Sequence, residues 1–376
     1  MARDSSDYGR AAIMNQLREL IGRIEGIDST WVGMAWERQN RLTKPPGSLG
    51  LLEEIACQVA GIQKTLTPSV DRKRVVVFAA DHGVTDEGVS PYPAEVTAQM
   101  VANFLRGGAA INAFARAARA EVVVVDIGVK SPIPKVENSQ VSVRFIQKPI
   151  RRGTRNFAQE LALTEQETLD AILIGSALAF DAKKDAINLI GLGEMGIGNT
   201  TTAAAISAAV TGRSSAVVTG RGTGADDSIF AIKQAIVERA VRLHAPRNAF
   251  SVLRAFGGLE IAGLVGLSLG AAVVRIPIVI DGFISASAAA LAVGMCPTAK
   301  EYMFAGHLSA EPGHRALLEF LEIRPILNLN MRLGEGTGAA LAMNVIEAAV
   351  RGFVEMATFE SGGVSDKQEV AKGVSH

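Results

Sequence analysis

Polar and apolar positions alternate with two different periods along this chain. Up to about residue 66 the pattern is helical. Residues 15–24 are amphipathic, and 50–66 carry apolar side chains at three- and four-residue spacing. Between them lies RLTKPPGSLG (41–50), whose Pro-Pro-Gly-Ser content predicts a loop. Beyond it come short runs rich in Val and Ile: 74–80, 122–126, 188–191, 276–280, 302–305 and 326–330. Five of these precede a helical stretch, starting near Ala94, after the glycines of 191–198, and near Ser285, Pro312 and Thr337.

Short apolar runs alternating with helices predict βαβ units: an α/β fold with a parallel, Rossmann-like sheet covered by helices on both faces. Ligands in such sheets bind at the carboxyl ends of the strands, and the glycine-rich loops all fall at such ends. The expected division is an α/β domain over 67–338, a small helical domain from 1–66 with 339–362, and a polar, disordered tail over 363–376.

Composition narrows the classes. Of 376 residues, 48% are hydrophobic and 20% charged, as in an ordinary globular protein. The 38 basic and 38 acidic residues cancel, so charge recommends neither a nucleic acid nor an anionic membrane as partner. Any anionic ligand must be held by a local site. The two cysteines, Cys57 and Cys296, lack CxxC partners, which argues against a disulfide framework or zinc site and suits a reducing cytoplasm. The start, MARDSSDYGR, lacks the apolar core of a signal peptide, and the most apolar stretch, 264–274, is too short to span a bilayer.

Six loops could carry chemistry. GLGEMGIGNTT (191–201) follows a strand and opens a helix, where glycines and a helix N-terminus can hold phosphate. It contains GxGxxG at Gly191, Gly193 and Gly196, so a nicotinamide dehydrogenase is a rival reading. Against that rival, the region about 20 residues on, TGRSSAVVT, has no acid to hold a ribose, and Glu194 would repel a pyrophosphate. In LGEGTG (333–338), Glu335 stands between glycines; a desolvated carboxylate there can accept a proton, or it can simply complement a helix dipole. ADHGV (80–84) offers an Asp-His pair, but neighbouring strand residues face opposite ways and no nucleophile motif is near. Asp281-Gly282 and GHLS (306–309) end two strands; Asp281 could hold sugar hydroxyls and Ser309 a phosphate, or both could serve turns and caps. GRGTG (220–224) precedes another helix, with Lys233 two turns in, either reaching a phosphate or solvated.

Taken together, RLTKPPGSLG, FAADHGVTDEGVSPYPAEVTAQM, GLGEMGIGNTT, GRGTG, IPIVIDGF, GHLSAEPGH and LNLNMRLGEGTGAALAM resemble the nicotinate-nucleotide–dimethylbenzimidazole phosphoribosyltransferase family, in the family's order and over most of 41–343. The resemblance implies transfer of a phosphoribosyl group from nicotinate mononucleotide to 5,6-dimethylbenzimidazole in cobalamin biosynthesis, by a homodimer without metal or other cofactor. It implies Glu335 as general base and Glu194 as a second active-site acid. On the nucleotide and its phosphate it places Gly196, Ile197, Gly198, Asn199, Thr200, Gly222, Lys233, Asp281, Gly282 and Ser309. Around the benzimidazole it places Ser90, Pro91, Tyr92, Gln99 and Leu333. A non-catalytic nucleotide-binding regulatory module on the same fold is the remaining alternative.

Overall fold

A computed structural model describes residues 5–136, 143–222 and 224–365, with side chains from residue 14 onward. Seven parallel strands form one sheet: β1 (Lys73–Ala80), β2 (Ala120–Gly128), β3 (Arg144–Gln147), β4 (Leu189–Met195), β5 (Ile278–Ile280), β6 (Met303–His307) and β7 (Pro325–Leu327). Their order is β3-β2-β1-β4-β5-β6-β7. Chain progress runs outward in both directions from β1 and β4, so the crevice between those strands is the topological switch point where α/β sheets open a binding site.

The α/β expectation holds, and the pattern explains why. β1, KRVVVFAA, is buried at every position, and the β-branched run of β2 is buried from Val122 onward. A parallel strand covered on both faces has no polar side to show, so it reads as a continuous apolar run. β3 has no counterpart among the predicted strands. It is a four-residue edge strand, RFIQ, partly exposed throughout, and its polar ends hide its pairing with β2. β4 is longer than predicted, reaching Met195, which puts Glu194 on a strand and not in the loop after it.

The described residues divide into two compact units, one drawn from 5–26 and 70–345 and the other from 27–69 and 346–365. The first helix, Ser5–Gly22, was expected in the small domain. It belongs instead to the larger unit, where Leu17 and Leu20 join the main core. The second division falls inside the helix Thr337–Glu355 rather than at residue 339. The smaller unit has its own core of Ala35, Ala56, Cys57, Ala60 and Phe353. In it the Arg38 guanidinium donates to the Phe353 and Val354 carbonyls at 3.0 Å each, and the 41–50 loop is held by Lys44 against Glu53 at 2.8 Å. Of the tail expected to be disordered, 366–376 lie outside the described residues.

The apolar stretch near 264–274 lies in the helix Leu259–Val273, buried from Leu259 through Ala272. One described helix, Thr337–Glu355, is long and apolar enough to cross a bilayer, and 61% of its apolar window is buried inside the molecule. Glycine sets how closely Leu259–Val273 meets its neighbour, Glu165–Lys184. A methyl at Gly175 would stand 1.9 Å from the Gly263 carbonyl oxygen, and one at Gly266 1.9 Å from that of Ile172. Gly175→Ala must therefore force two backbones apart. The expected cost is about 1–3 kcal/mol, the range for overpacking, read as a lower midpoint in thermal or urea unfolding. An unchanged midpoint would contradict this packing.

Candidate active site

At the carboxyl ends of β1 and β4–β7 lies a cavity of about 320 Å³. It gathers the predicted loops into one place: Ser90, Pro91 and Tyr92 after β1; Glu194 to Thr200 from β4; Gly282 after β5; Ser309 after β6; and Leu333 to Glu335 after β7, with Gly222 and Lys233.

Glu335 sits in a turn of three successive left-handed residues, Gly334 (φ 93°), Glu335 (φ 65°) and Gly336 (φ 90°). The middle one has a side chain, and such backbone costs on the order of 1–3 kcal/mol unless its surroundings enforce it. Asp281 does so. Its carboxylate accepts the Gly338 N–H at 2.6 Å, the Gly336 N–H at 3.1 Å and the Ala339 N–H at 3.2 Å, pinning the turn and the start of the following helix. From below, Gly193 gives room for the Glu335 carbonyl, which would lie 2.7 Å from any Cβ at that position. The Glu335 carboxylate is 5% exposed and accepts the Ile111 N–H at 3.2 Å, at the start of helix Ala110–Ala117. Burial raises its pKa above the usual carboxylate range; the Ile111 hydrogen bond opposes this and the nearby Asp281 charge adds to it.

Glu194 shares the cavity. Its pKa is pushed up to about 8, chiefly by burial and then by the charges of Asp281 and Glu260, against a hydrogen bond donated by the Asn199 amide. Glu194 in this environment is therefore mostly protonated at neutral pH.

A second group of lining residues surrounds Lys233. Lys233, read from sequence as either solvated or phosphate-binding, is 1% exposed. Its ammonium donates to Thr200 Oγ1 at 3.1 Å, and burial draws its pKa down to about 8, opposed by Glu311. Gly222 (φ 57°) lies against both groups: a Cβ there would be 2.9 Å from Thr200 Oγ1 and 3.3 Å from Lys233 Nζ. The Arg332 guanidinium grips the same loop through the Gly222 carbonyl at 2.7 Å. Ser309 is oriented by its N–H, donated to His314 Nδ1 at 2.9 Å.

Apolar side chains of Val89, Pro91, Val96, Met100, Phe283 and Ile284 line the same cavity. Tyr92 and Leu333, 47% and 50% exposed, form part of its lining too.

Two predicted site residues are placed elsewhere. Gln99 is exposed and does not line the cavity, because it lies on the outer face of helix Glu95–Arg106 while Val96 and Met100 face in. Asp281 does not line it either: it is 1% exposed and its carboxylate accepts three backbone N–H groups of the Glu335 turn, so it braces the site. The Asp81-His82 pair is also a brace. His82 bonds Glu260 at 2.7 Å and Thr202 at 2.9 Å, while Asp81 accepts the Lys130 N–H at 2.7 Å and bonds Thr97. Thr97 in turn accepts the Ile197 N–H at 3.1 Å, and Gly196 packs so tightly on the Ala80 carbonyl that a Cβ would stand 2.4 Å from it. The loop 196–198 thus rests on residues far off in sequence.

The GxGxxG match dissolves for a geometric reason. Gly191 and Gly193 lie inside β4, beneath Met343 and Glu335, and serve packing rather than a pyrophosphate. Sequence reasoning missed Glu311, His307, Arg221 and Arg332, which also line the cavity. GHLSAEPGH and MRLGEG carried three of them in plain sight, but nothing in their spacing distinguished them from turn and cap residues. No group of three or more His, Cys, Asp or Glu placed to hold a metal ion occurs among the described residues.

The phosphoribosyltransferase family model DBI_PRT matches residues 24–364. The nicotinate-nucleotide–dimethylbenzimidazole phosphoribosyltransferase of Chloroflexus aggregans is 49% identical over 358 residues, covering 95% of this chain and 100% of that protein. The protein of the same name from Geobacter sp. strain M21 is 49% identical over 354 residues, covering 94% of this chain and 100% of its own length. A crystal structure of nicotinate-nucleotide–dimethylbenzimidazole phosphoribosyltransferase from Thermus thermophilus superposes with a TM-score of 0.84 at 44% identity, over 91% of this chain and 100% of that one. By sequence along nearly its whole length, and by fold, this chain belongs to the nicotinate-nucleotide–dimethylbenzimidazole phosphoribosyltransferase family.

Proposed function

We propose that this protein transfers the phosphoribosyl group of nicotinate mononucleotide to 5,6-dimethylbenzimidazole, giving α-ribazole 5′-phosphate and nicotinate for the nucleotide loop of cobalamin. The observation that carries the reading is a buried carboxylate, Glu335, on one cavity with a buried lysine, Lys233, beside a glycine loop.

Nicotinate mononucleotide carries a cationic pyridinium. Breaking its bond to C1′ releases a neutral pyridine ring, so the leaving group needs no acid. The incoming azole needs a proton acceptor. Glu335 takes the proton from one ring nitrogen while the other attacks C1′ from the opposite face, and the β-nucleotide becomes an α-nucleotide. Val89, Val96 and Met100 with Ser90, Pro91, Tyr92 and Leu333 offer the flat azole an apolar wall near Glu335. The nucleotide lies along Gly196, Ile197, Gly198 and Asn199, with its phosphate toward Thr200, Gly222, Lys233 and Ser309 and its sugar by Gly282. Phosphate binding at that end fixes the geometry at C1′. The pyridinium favours the ionised form of Glu194, which then stabilises positive charge developing on the ribose in a dry site. A homodimer in the cytoplasm completes this reading; the dimer rests on the family resemblance, and the compartment on the two free, buried cysteines Cys57 and Cys296.

Incubation of the purified protein with nicotinate mononucleotide and 5,6-dimethylbenzimidazole, followed by chromatography, tests it. Free nicotinate and an α-nucleotide should appear together in equal amounts. Binding without either product would leave a nucleotide-binding module in place of an enzyme.

A further inference from the structure

A carboxylate stands where the nucleotide phosphate is to bind. Glu311 is 6% exposed and lines the cavity, its Oε1 accepting the Gly222 N–H at 2.9 Å. Its other oxygen, Oε2, is buried without a hydrogen-bond partner. That oxygen lies so close to Gly220 that a Cβ there would be 1.9 Å from it. The Glu311 N–H donates to Ser309 Oγ at 3.3 Å, tying the carboxylate's own backbone to another phosphate-side residue. A glycine N–H, a lysine and a serine suit a phosphate; a second anion among them does not.

We propose that Glu311 takes up a proton from solvent when the nucleotide phosphate enters, and then serves the phosphate as a neutral hydrogen-bond donor. This rests on the phosphoribosyl-transfer reading above. Before the nucleotide binds, the charge of Glu311 offsets that of the buried Lys233, and phosphate replaces that charge rather than adding to it. The proton returns to solvent when the product nucleotide leaves.

Other charged groups around Glu311 set the alternatives. Lys233 faces it from helix Asp227–His244, Arg221 from the 220–224 loop, Arg332 from the segment after β7 and His307 from the end of β6; His314 follows on its own helix, Pro312–Leu321. Burial holds His314 neutral, its pKa drawn down to about 3, and also lowers that of His307. Lys233, at about 8, stays mostly protonated at pH 7.

Isothermal titration with nicotinate mononucleotide alone, at pH 7 in buffers of different ionisation enthalpy, counts the protons directly. The wild-type protein should take up close to one proton per nucleotide. Its Kd should rise by up to about tenfold per pH unit between pH 6.5 and 7.5. Glu311→Gln retains an oxygen for the Gly222 N–H but cannot be protonated; it should bind without uptake, its Kd nearly flat over that range. Lys233→Met, which removes the charge that lowers the Glu311 pKa, should bind more weakly and take up less than the wild type. Nucleotide binding by wild-type protein with no net uptake overturns the proposal, as does wild-type uptake surviving in Glu311→Gln, which would assign the proton to Lys233 or the phosphate. If Glu311→Gln does not fold, Glu311→Ala makes the same test: nucleotide binding without uptake supports the proposal and uptake retained overturns it. Absence of any nucleotide binding would remove the parent reading itself.

Discussion

Glu335→Gln should fold normally and lose turnover by a factor on the order of 10²–10⁴, the range for removing a general base. The amide preserves shape and keeps an acceptor for the Ile111 N–H, so the left-handed turn and its Asp281 brace should persist. What is lost is the ability to take the azole proton. The pH profile adds a second readout. A base works only when ionised, so wild-type turnover should fall as pH drops through the pKa of Glu335. Burial raises that pKa, which places the acid limb above the ordinary carboxylate range. In Glu335→Gln that limb should vanish along with the rate. Steady-state assays of the folded variant from pH 5 to 9 check both points; near-normal turnover would take the base role from Glu335.

Lys233→Ala should raise the KM for nicotinate mononucleotide about 10- to 100-fold, the equivalent of one charge-assisted hydrogen bond, with a much smaller effect on the KM for the azole. The lysine is 1% exposed, so its removal leaves a hole as well as a missing charge. Lys233→Met restores the volume and separates the two: a charge role predicts the same nucleotide defect in both variants. The defect should also grow in wild-type protein as pH passes about 8, where the buried ammonium loses its proton. Equal effects on both substrates would mean that Lys233 shapes the cavity and does not bind phosphate.

Much of the architecture was legible before any coordinates. A parallel strand buried on both faces is recognisable by a central run of apolar residues without alternation, and β1, β2, β5 and β6 carry such runs. Glycine loops at strand ends marked where ligands bind, and the acid between two glycines marked Glu335. β3 escaped because an exposed edge strand carries polar residues that break the pattern. The first helix was assigned to the wrong unit because amphipathicity shows that a helix has a buried face, not which core receives it.

Local sequence determined the kinds of element, their order and the loops that could hold a phosphate, because these depend on propensity, period and backbone freedom within a few residues. Only the tertiary structure decided which residues work and which support. Asp281 turned out to brace the Glu335 turn, His82 to steady the 196–198 loop, Lys233 to be buried and Gln99 to face outward. The acidity of Glu194 and the anomaly of Glu311 belong to the same class. The physical reason is common to all of them: desolvation and charge–charge interaction are set by neighbours that the fold brings in from dozens or hundreds of residues away, and no short window of sequence contains them.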